Sequence, residues 1–415
     1  MKRPRGWRAT LGVALAAQGL CASPVLGGSA PPGATEQSFV APSDTCPTVH
    51  EDREFSFFLD EDNFQVTAHT DDNYTLGTGF GWGGLETPGA GAHRLLDAPL
   101  DRIEAGGRWL VRRVTRVELR VPSRPARYDR SLLATAFTPR HIERPEIQYG
   151  DRPYAFLLGY TVTRSPDVAL EGGGQLSFWR SEATIGTIGS PVGEVVQRSI
   201  HAAGRTLNGS DRPPDPAGWS HQILDSRYGV PTARYQLMHV WYWRRPLGGA
   251  SPRGPSLEVV REEGFELGYH TDAQAGASVS LGWSSSRLWT LGTHPENPGL
   301  RRVAPVATRY PEAFVYAALD GSAWAYNALL QGYGNWMSDY RLSRSQMESF
   351  TYQLQIGVVL GTHSVEAATG HRHDLRLVYV PETYRSREFK GPLATSHHWG
   401  AIRIAVGESF DVPIR

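Results

Sequence analysis

The chain has 415 residues, and its 42 basic and 42 acidic side chains cancel. That balance removes any general electrostatic case for binding nucleic acid. Of the two cysteines, Cys46 alone lies beyond the first thirty residues, so disulfides within a processed chain are excluded as the support of the fold.

Residues 1–30 read as a secretory signal peptide. Lys2, Arg3, Arg5 and Arg8 form a basic start, ATLGVALAAQGLCA is a short apolar run, and Gly27, Gly28, Ser29 and Ala30 are small. The apolar run falls short of the ~20 residues that a membrane-spanning helix needs. Residues 31–52 are polar and Pro-rich and read as an N-terminal tail. Residues 53–415 then form one large all-β domain, since no linker divides them. The high counts of Gly (45) and Trp (12) suit tight turns and aromatic belts.

Extended segments are predicted at Glu54–Leu59, Thr75–Trp82, Trp109–Val121, Tyr154–Arg164, Gly174–Gly186 and Ala233–Arg244. They continue at Ser256–Tyr269, Gly276–Trp283, Glu312–Gln331, Gln346–His363, Asp374–Val380 and Trp399–Val406. In WLVRRVTRVELRVP, residues alternate between a more polar and a more apolar set, as a strand with one face to lipid and one to a polar lumen would. A water-soluble sandwich would also alternate. The export signal, the even strand count and the aromatic clusters at segment ends (Trp241-Tyr242-Trp243, Trp283, Trp399) favour an antiparallel transmembrane β-barrel of about twelve strands. Phe410 resembles the terminal aromatic residue of such barrels.

One stretch breaks the extended pattern. After Gly189-Ser190-Pro191 a short helical pattern carries Gln197 and His201 at i, i+4, hence on one helix face. Val196, Ile200 and Ala203 fall on its apolar side. A Gly/Pro-rich loop closed by Gly218-Trp219 follows. Histidine has an unperturbed pKa of ~6.5, suited to taking a proton from water near neutrality.

Two oxygen-rich runs come earlier. Asp60-Glu61-Asp62-Asn63 and Asp71-Asp72-Asn73 could serve a hard cation such as Ca2+, or be solvated turns. They lack EF-hand spacing. His371 and His373 would share one strand face, with His397-His398 as a conceivable partner for a transition metal, although ordinary polar residues are the simpler reading. No G-x-S-x-G elbow, Walker loop or dinucleotide fingerprint is present.

Four stretches together resemble the lipid A 3'-O-deacylase family of outer membranes: FLDEDNF at 58–64, TDDNYTLG at 70–77, GDRPYA at 150–155, and VVQRSIH at 195–201 followed by GWSHQI at 218–223. The resemblance implies a twelve-stranded barrel with an active site between the outer wall and a helix from an extracellular loop. It implies Ca2+-dependent hydrolysis of the 3'-acyloxyacyl ester of lipid A. Carried over residue by residue, it makes His201 the base, Thr75 an active-site threonine and Asp62 the metal-linked aspartate. Glu61 stands where the family has Asn and would add a metal oxygen. Arg140 and Arg144, in RHIERPEIQ, would meet the headgroup with Gln197. The expected partners are lipid A or lipopolysaccharide and the outer membrane, with no protein partner. Two rivals stay open: a non-enzymatic structural or transport barrel, and a secreted β-sandwich binding module.

Overall fold

The computed structural model describes residues 48–61, 73–85, 126–166, 174–208, 215–247, 254–284, 312–334, 338–365 and 371–413, with scattered positions between 102 and 113. The expected signal peptide and most of the expected tail lie outside these residues. The strands are β1 (Thr48–Glu61), β2 (Asn73–Leu85), β3 (Ala126–Thr138), β4 (Ala155–Pro166), β5 (Gly174–Ile188) and β6 (Val230–Pro246). They continue as β7 (Ser256–Gly268), β8 (His270–Trp283), β9 (Glu312–Asn327), β10 (Phe350–Val365), β11 (Arg372–Arg385) and β12 (His397–Pro413). Each pairs antiparallel with its neighbours in sequence, and β1 pairs β12 from Thr48↔Pro413 to Glu61↔Gly400, closing a twelve-stranded barrel. Closure leaves no strand edge unpaired.

The side chains explain why this sheet closes in lipid and not in water. Along β10, Thr351, Gln353 and Gln355 are buried, whereas Phe350, Tyr352 and Leu354 are exposed. Phe55 and Phe80 are 69% and 60% exposed on β1 and β2. Polar groups inside and large apolar groups outside invert the order of a water-soluble protein. That inversion removes the β-sandwich reading. No helix among the described residues is long and apolar enough to span a membrane.

The lumen is filled. Phe178, Val240, Tyr242, Val260, Phe314, Tyr316 and Val359 form one buried cluster with inward residues of β11 and β12. Polar layers accompany it. Arg234 on β6 bonds Glu266 on β7 at 3.1 Å and also bonds Glu182 on β5, and all three side chains are at most 1% exposed. At these levels the described side chains pack against one another inside the barrel.

Two predicted segments are corrected. Trp109–Val121 was expected to be a strand, yet positions 109, 112 and 113 are helical, and the third strand is Ala126–Thr138. The predicted strand Glu312–Gln331 stops at Asn327, whose side chain accepts a hydrogen bond from Leu329 N–H at 2.9 Å and caps a helical turn over Ala328–Gln331.

Strand direction alternates, so the connections β1–β2, β3–β4, β5–β6, β7–β8, β9–β10 and β11–β12 share one end. The first and last strands begin and end at the other. His371 and His373 lie at the end where β10 meets β11, and His397 and His398 lie at the opposite end. These histidines therefore form no joint metal site. His398 instead contacts Glu382 at 2.7 Å, and His373 lies 3.7 Å from Glu408.

Candidate active site at the helix on the barrel wall

Helix α1 (Val192–Asn208) follows β5 at the end shared by the β1–β2 connection. Its entry is a tight turn. Gly189 has φ +81°, and a Cβ there would stand 2.0 Å from the carbonyl oxygen of Leu224, so two limbs of the loop touch through backbone alone. Glu194 lies in the first turn, where the helix dipole favours an acid, and it pairs with Arg198 at 2.8 Å.

The helix is seated on the outside of the wall. At Gly193 a Cβ would come within 2.7 Å of Phe156 on β4, so only glycine permits this approach. Val196 packs against a cluster of Leu76, Ala136, Tyr154, Phe156 and Trp219, with Leu59 and Ala134 at its edge. Leu59 and Leu76 belong to β1 and β2, so the first hairpin contributes to the cluster on which the helix sits. A Gly193→Val change should cost about 1–3 kcal/mol of docking through overpacking. Limited proteolysis should then cut within residues 189–229 at a protease dose that spares the wild type.

Val196 packs on the wall, in keeping with its place on the apolar side of α1. The helical pattern set Gln197 and His201 away from that side, yet Gly193, Gln197 and His201, spaced i, i+4, i+8, form a buried row, with Gln197 1% and His201 6% exposed. Val192 and Val195 are exposed at 44% and 64%, beside the exposed Arg198. The helix thus turns a polar row toward the protein and leaves a mixed face outward.

Gln197 is held by Trp219, which sequence reading placed only in a closing loop. The Trp219 indole N–H donates to Gln197 Oε1 at 2.8 Å. Indole nitrogen is donor-only, so the contact fixes which way the amide faces. Gln197 Nε2 is buried with no hydrogen-bond partner among the described residues. Tyr154 stacks near Trp219, with ring centroids 4.9 Å apart, and bonds the Ile142 carbonyl at 3.0 Å. The loop is anchored by Ile223 N–H to Tyr154 O at 2.7 Å and Ala217 N–H to Ile142 O at 2.8 Å. It is tied to the β9–β10 connection by Leu224 N–H to Ser338 Oγ and His221 Nδ1 to Asp339 Oδ2, both at 2.9 Å. Tyr340, in the same connection, accepts from Gly150 N–H and donates to Asp151 O, each at 2.9 Å. Burial pushes its phenol above the ordinary value, which keeps the donating proton in place.

The remaining expected residues converge on this end. Glu61 pairs directly with Leu76, and Thr75 precedes Leu76 at a register shift between Tyr74 and Leu76 in the β2–β3 pairing. Bulges of this kind recur beside active sites. Both positions therefore adjoin the cluster that seats α1; their side chains, and Asp62 entirely, lie outside the described residues. Asp60 does not belong with them. It is buried on the inner face, and Arg403, two residues along the adjoining strand β12 from its direct partner Ala401, lies 4.0 Å away. Arg140 and Arg144 are exposed on the β3–β4 connection, and the Arg144 carbonyl would stand 3.0 Å from a Cβ at Gly218, beside Trp219.

With this geometry in place, the chain can be set against known proteins. The family model described as "Outer membrane protein LpxR" matches residues 23–407, nearly the full length. The chain belongs to the LpxR family of outer membrane proteins. A solved structure described as LpxR from Salmonella typhimurium superposes with a TM-score of 0.54 at 14% identity, covering 85% of this chain and 99% of that one. The Pseudomonas putida toluene transporter TodX aligns at 8% identity with a TM-score of 0.27, covering 87% and 88% of the respective chains. No curated protein matches. The LpxR likeness covers the closed barrel and agrees with an outer-membrane location. Sequence reading assigned no role in the site to Trp219, Tyr154 or Phe156, although Tyr154 stands in GDRPYA and Trp219 in GWSHQI, two of the stretches that carry the resemblance.

Proposed function

We propose that this LpxR-family protein hydrolyses the 3'-acyloxyacyl ester of lipid A, with His201 as the general base. The observation that carries this reading is the buried polar row of Gln197 and His201, on a helix clamped to the outer wall beside positions 61 and 75. A buried polar row facing the wall suits an ester held out of bulk water.

His201 takes a proton from water, and the resulting hydroxide attacks the ester carbonyl carbon. The C–O bond to the sugar breaks, the acyloxyacyl acid leaves, and the sugar oxygen is protonated. General-base help of this kind is worth about 10²–10⁴-fold. The Gln197 Nε2–H donates to the ester or its oxyanion, an acceptor it lacks among the described residues. Leaving such a donor unpaired costs ~1–3 kcal/mol, so a bound acceptor would stabilise it. The Thr75 hydroxyl positions the water or the ester. Arg140 and Arg144, exposed next to the loop, complement the phosphates of the lipid A headgroup. The donor set of Asp62 and Glu61 is carboxylate oxygen, the chemistry a hard cation such as Ca2+ prefers. Bound there, calcium would supply Lewis-acid polarisation of the ester carbonyl.

Purified protein in detergent should release the acyloxyacyl acid from lipid A, and EDTA should stop the release; release unaffected by EDTA would remove calcium from the account. Trp219→Phe tests the positioning of Gln197. It keeps the ring and loses the N–H, and kcat should fall about 5–100-fold, the equivalent of ~1–3 kcal/mol, with KM little changed. A change confined to KM would assign Trp219 a structural role only.

A further inference from the structure

A second set of reactive groups lies on the outer wall, away from α1. Ser177 on β5 hydrogen-bonds His239 Nε2 on β6 at 2.6 Å, and His239 Nδ1 lies 3.3 Å from Glu263 Oε1 on β7. The ladder sets these in two adjacent rows. Trp179, His239 and Glu263 are direct partners in one; Ser177, Trp241 and Arg261 are direct partners in the next. Alternation puts all six on the outer face, because Phe178, Val240 and Glu262, the residues between them, turn inward. Glu263 and Arg261 are exposed there. A charge on the lipid face of a barrel costs up to ~2–4 kcal/mol at mid-membrane and approaches nothing near the interface. Ionisable groups in such places mark function by default.

We propose that Ser177, His239 and Glu263 form a serine-esterase triad that opens sideways to the bilayer and acts on an acyl ester of an anionic glycerophospholipid. The hydrogen bonds fix the roles. An ionised Glu263 only accepts, so His239 carries its proton on Nδ1, and Nε2 is then the acceptor for the Ser177 hydroxyl. This is the nucleophile, base and orienter order that recurs on unrelated folds, recognised by geometry and not by sequence position. The absence of a G-x-S-x-G elbow does not bear on it, because three strands assemble the groups.

The reaction balances with water as the sole co-reactant. Ser177 Oγ attacks the ester carbonyl carbon as its proton passes to His239 Nε2. The ester C–O bond breaks, and the lysolipid alkoxide leaves with that proton. Water, deprotonated by His239, then attacks the acyl-Ser177 ester, releasing the fatty acid and regenerating the hydroxyl. Arg261 and the Trp241 indole N–H, in the same row as Ser177, supply the positive charge and the donor that a lipid phosphate and a developing oxyanion need. Trp179, with its ring centroid 5.0 Å from that of His239, is an apolar neighbour for the acyl chain. Ser177 lies three residues from the start of β5 and His239 seven from the end of β6, so the trio sits toward the end opposite α1.

The test is covalent labelling of the full-length protein in outer-membrane vesicles with a long-chain fluorophosphonate, read by peptide mass spectrometry, together with fatty-acid release from phosphatidylglycerol in mixed micelles. The wild type should carry the label on Ser177. Ser177→Ala and His239→Gln should each lower labelling and phospholipid hydrolysis at least 100-fold while keeping the compact, heat-modifiable form. His201→Asn should keep both, which separates this site from the lipid A site. Label absent from the wild type, or retained in Ser177→Ala, overturns the proposal. So does fatty-acid release that survives Ser177→Ala.

Discussion

Replacing His201 with Asn should cut lipid A deacylation by about 10²–10⁴-fold, the range lost when a general base is removed. The side chain is 6% exposed on the helix face turned toward the wall, so it is held in place and screened from bulk water. Asn keeps polarity and approximate length but cannot take a proton near neutrality. The folded, heat-modifiable band should be unchanged, because α1 is seated chiefly by Gly193 against Phe156 and by Val196 against the Leu76 cluster. Activity retained above one tenth of the wild-type rate would remove His201 from the chemistry.

The largest stability effect should come from Arg234→Met. Arg234 joins Glu182 and Glu266 across three strands, and all three side chains are at most 1% exposed. Removing the guanidinium leaves two carboxylates buried together, at a cost of about 3–5 kcal/mol. Thr163 and Gln236, which donate to these carboxylates at 2.9 and 2.7 Å, cannot replace a positive charge. Adding Glu182→Gln and Glu266→Gln to Arg234→Met should recover most of the loss, since the uncompensated charge goes with them. Urea unfolding in detergent, followed by the shift between folded and unfolded gel mobility, measures both variants. A single variant as stable as the wild type would show that the cluster tolerates loss of its cation.

The barrel was largely legible because the solvent leaves its mark on alternation. β10 shows this best: Phe350, Tyr352 and Leu354 face out while Thr351, Gln353 and Gln355 face in. β3 was not legible. Its outer face at Ala134 and Ala136 is covered by the cluster that seats α1, and its inner face mixes Leu133 and Phe137 with Ser131 and Thr135, so the period is blurred. WLVRRVTRVELRVP misled for the converse reason: an alternating run of arginine and valine resembles a strand, yet its described positions are helical. The acidic run from Asp60 shows another limit. Composition shows oxygen donors, but only the pleat reveals that Asp60 points into the lumen toward Arg403.

The candidate site was legible as positions and not as orientations. The i, i+4 spacing correctly put Gln197 and His201 on one face. Which face is buried could not be read from the rule that apolar residues go inside, because Val192 and Val195 stay exposed beside Arg198 while Gln197 and His201 are buried. The Trp219–Gln197 bond joins residues 22 apart across a loop whose path no local pattern encodes. Positions 61 and 75 adjoin the cluster that seats the helix only through register, by way of Leu76.

The most direct measurement is mass spectrometry of lipid A extracted from cells expressing the wild-type protein or His201→Asn, with calcium supplied or chelated. The account predicts lipid A lacking the 3'-acyloxyacyl group in wild-type cells with calcium, and intact lipid A in the other three samples. Intact lipid A in all four, from cells that hold the folded barrel in the outer membrane, would contradict it.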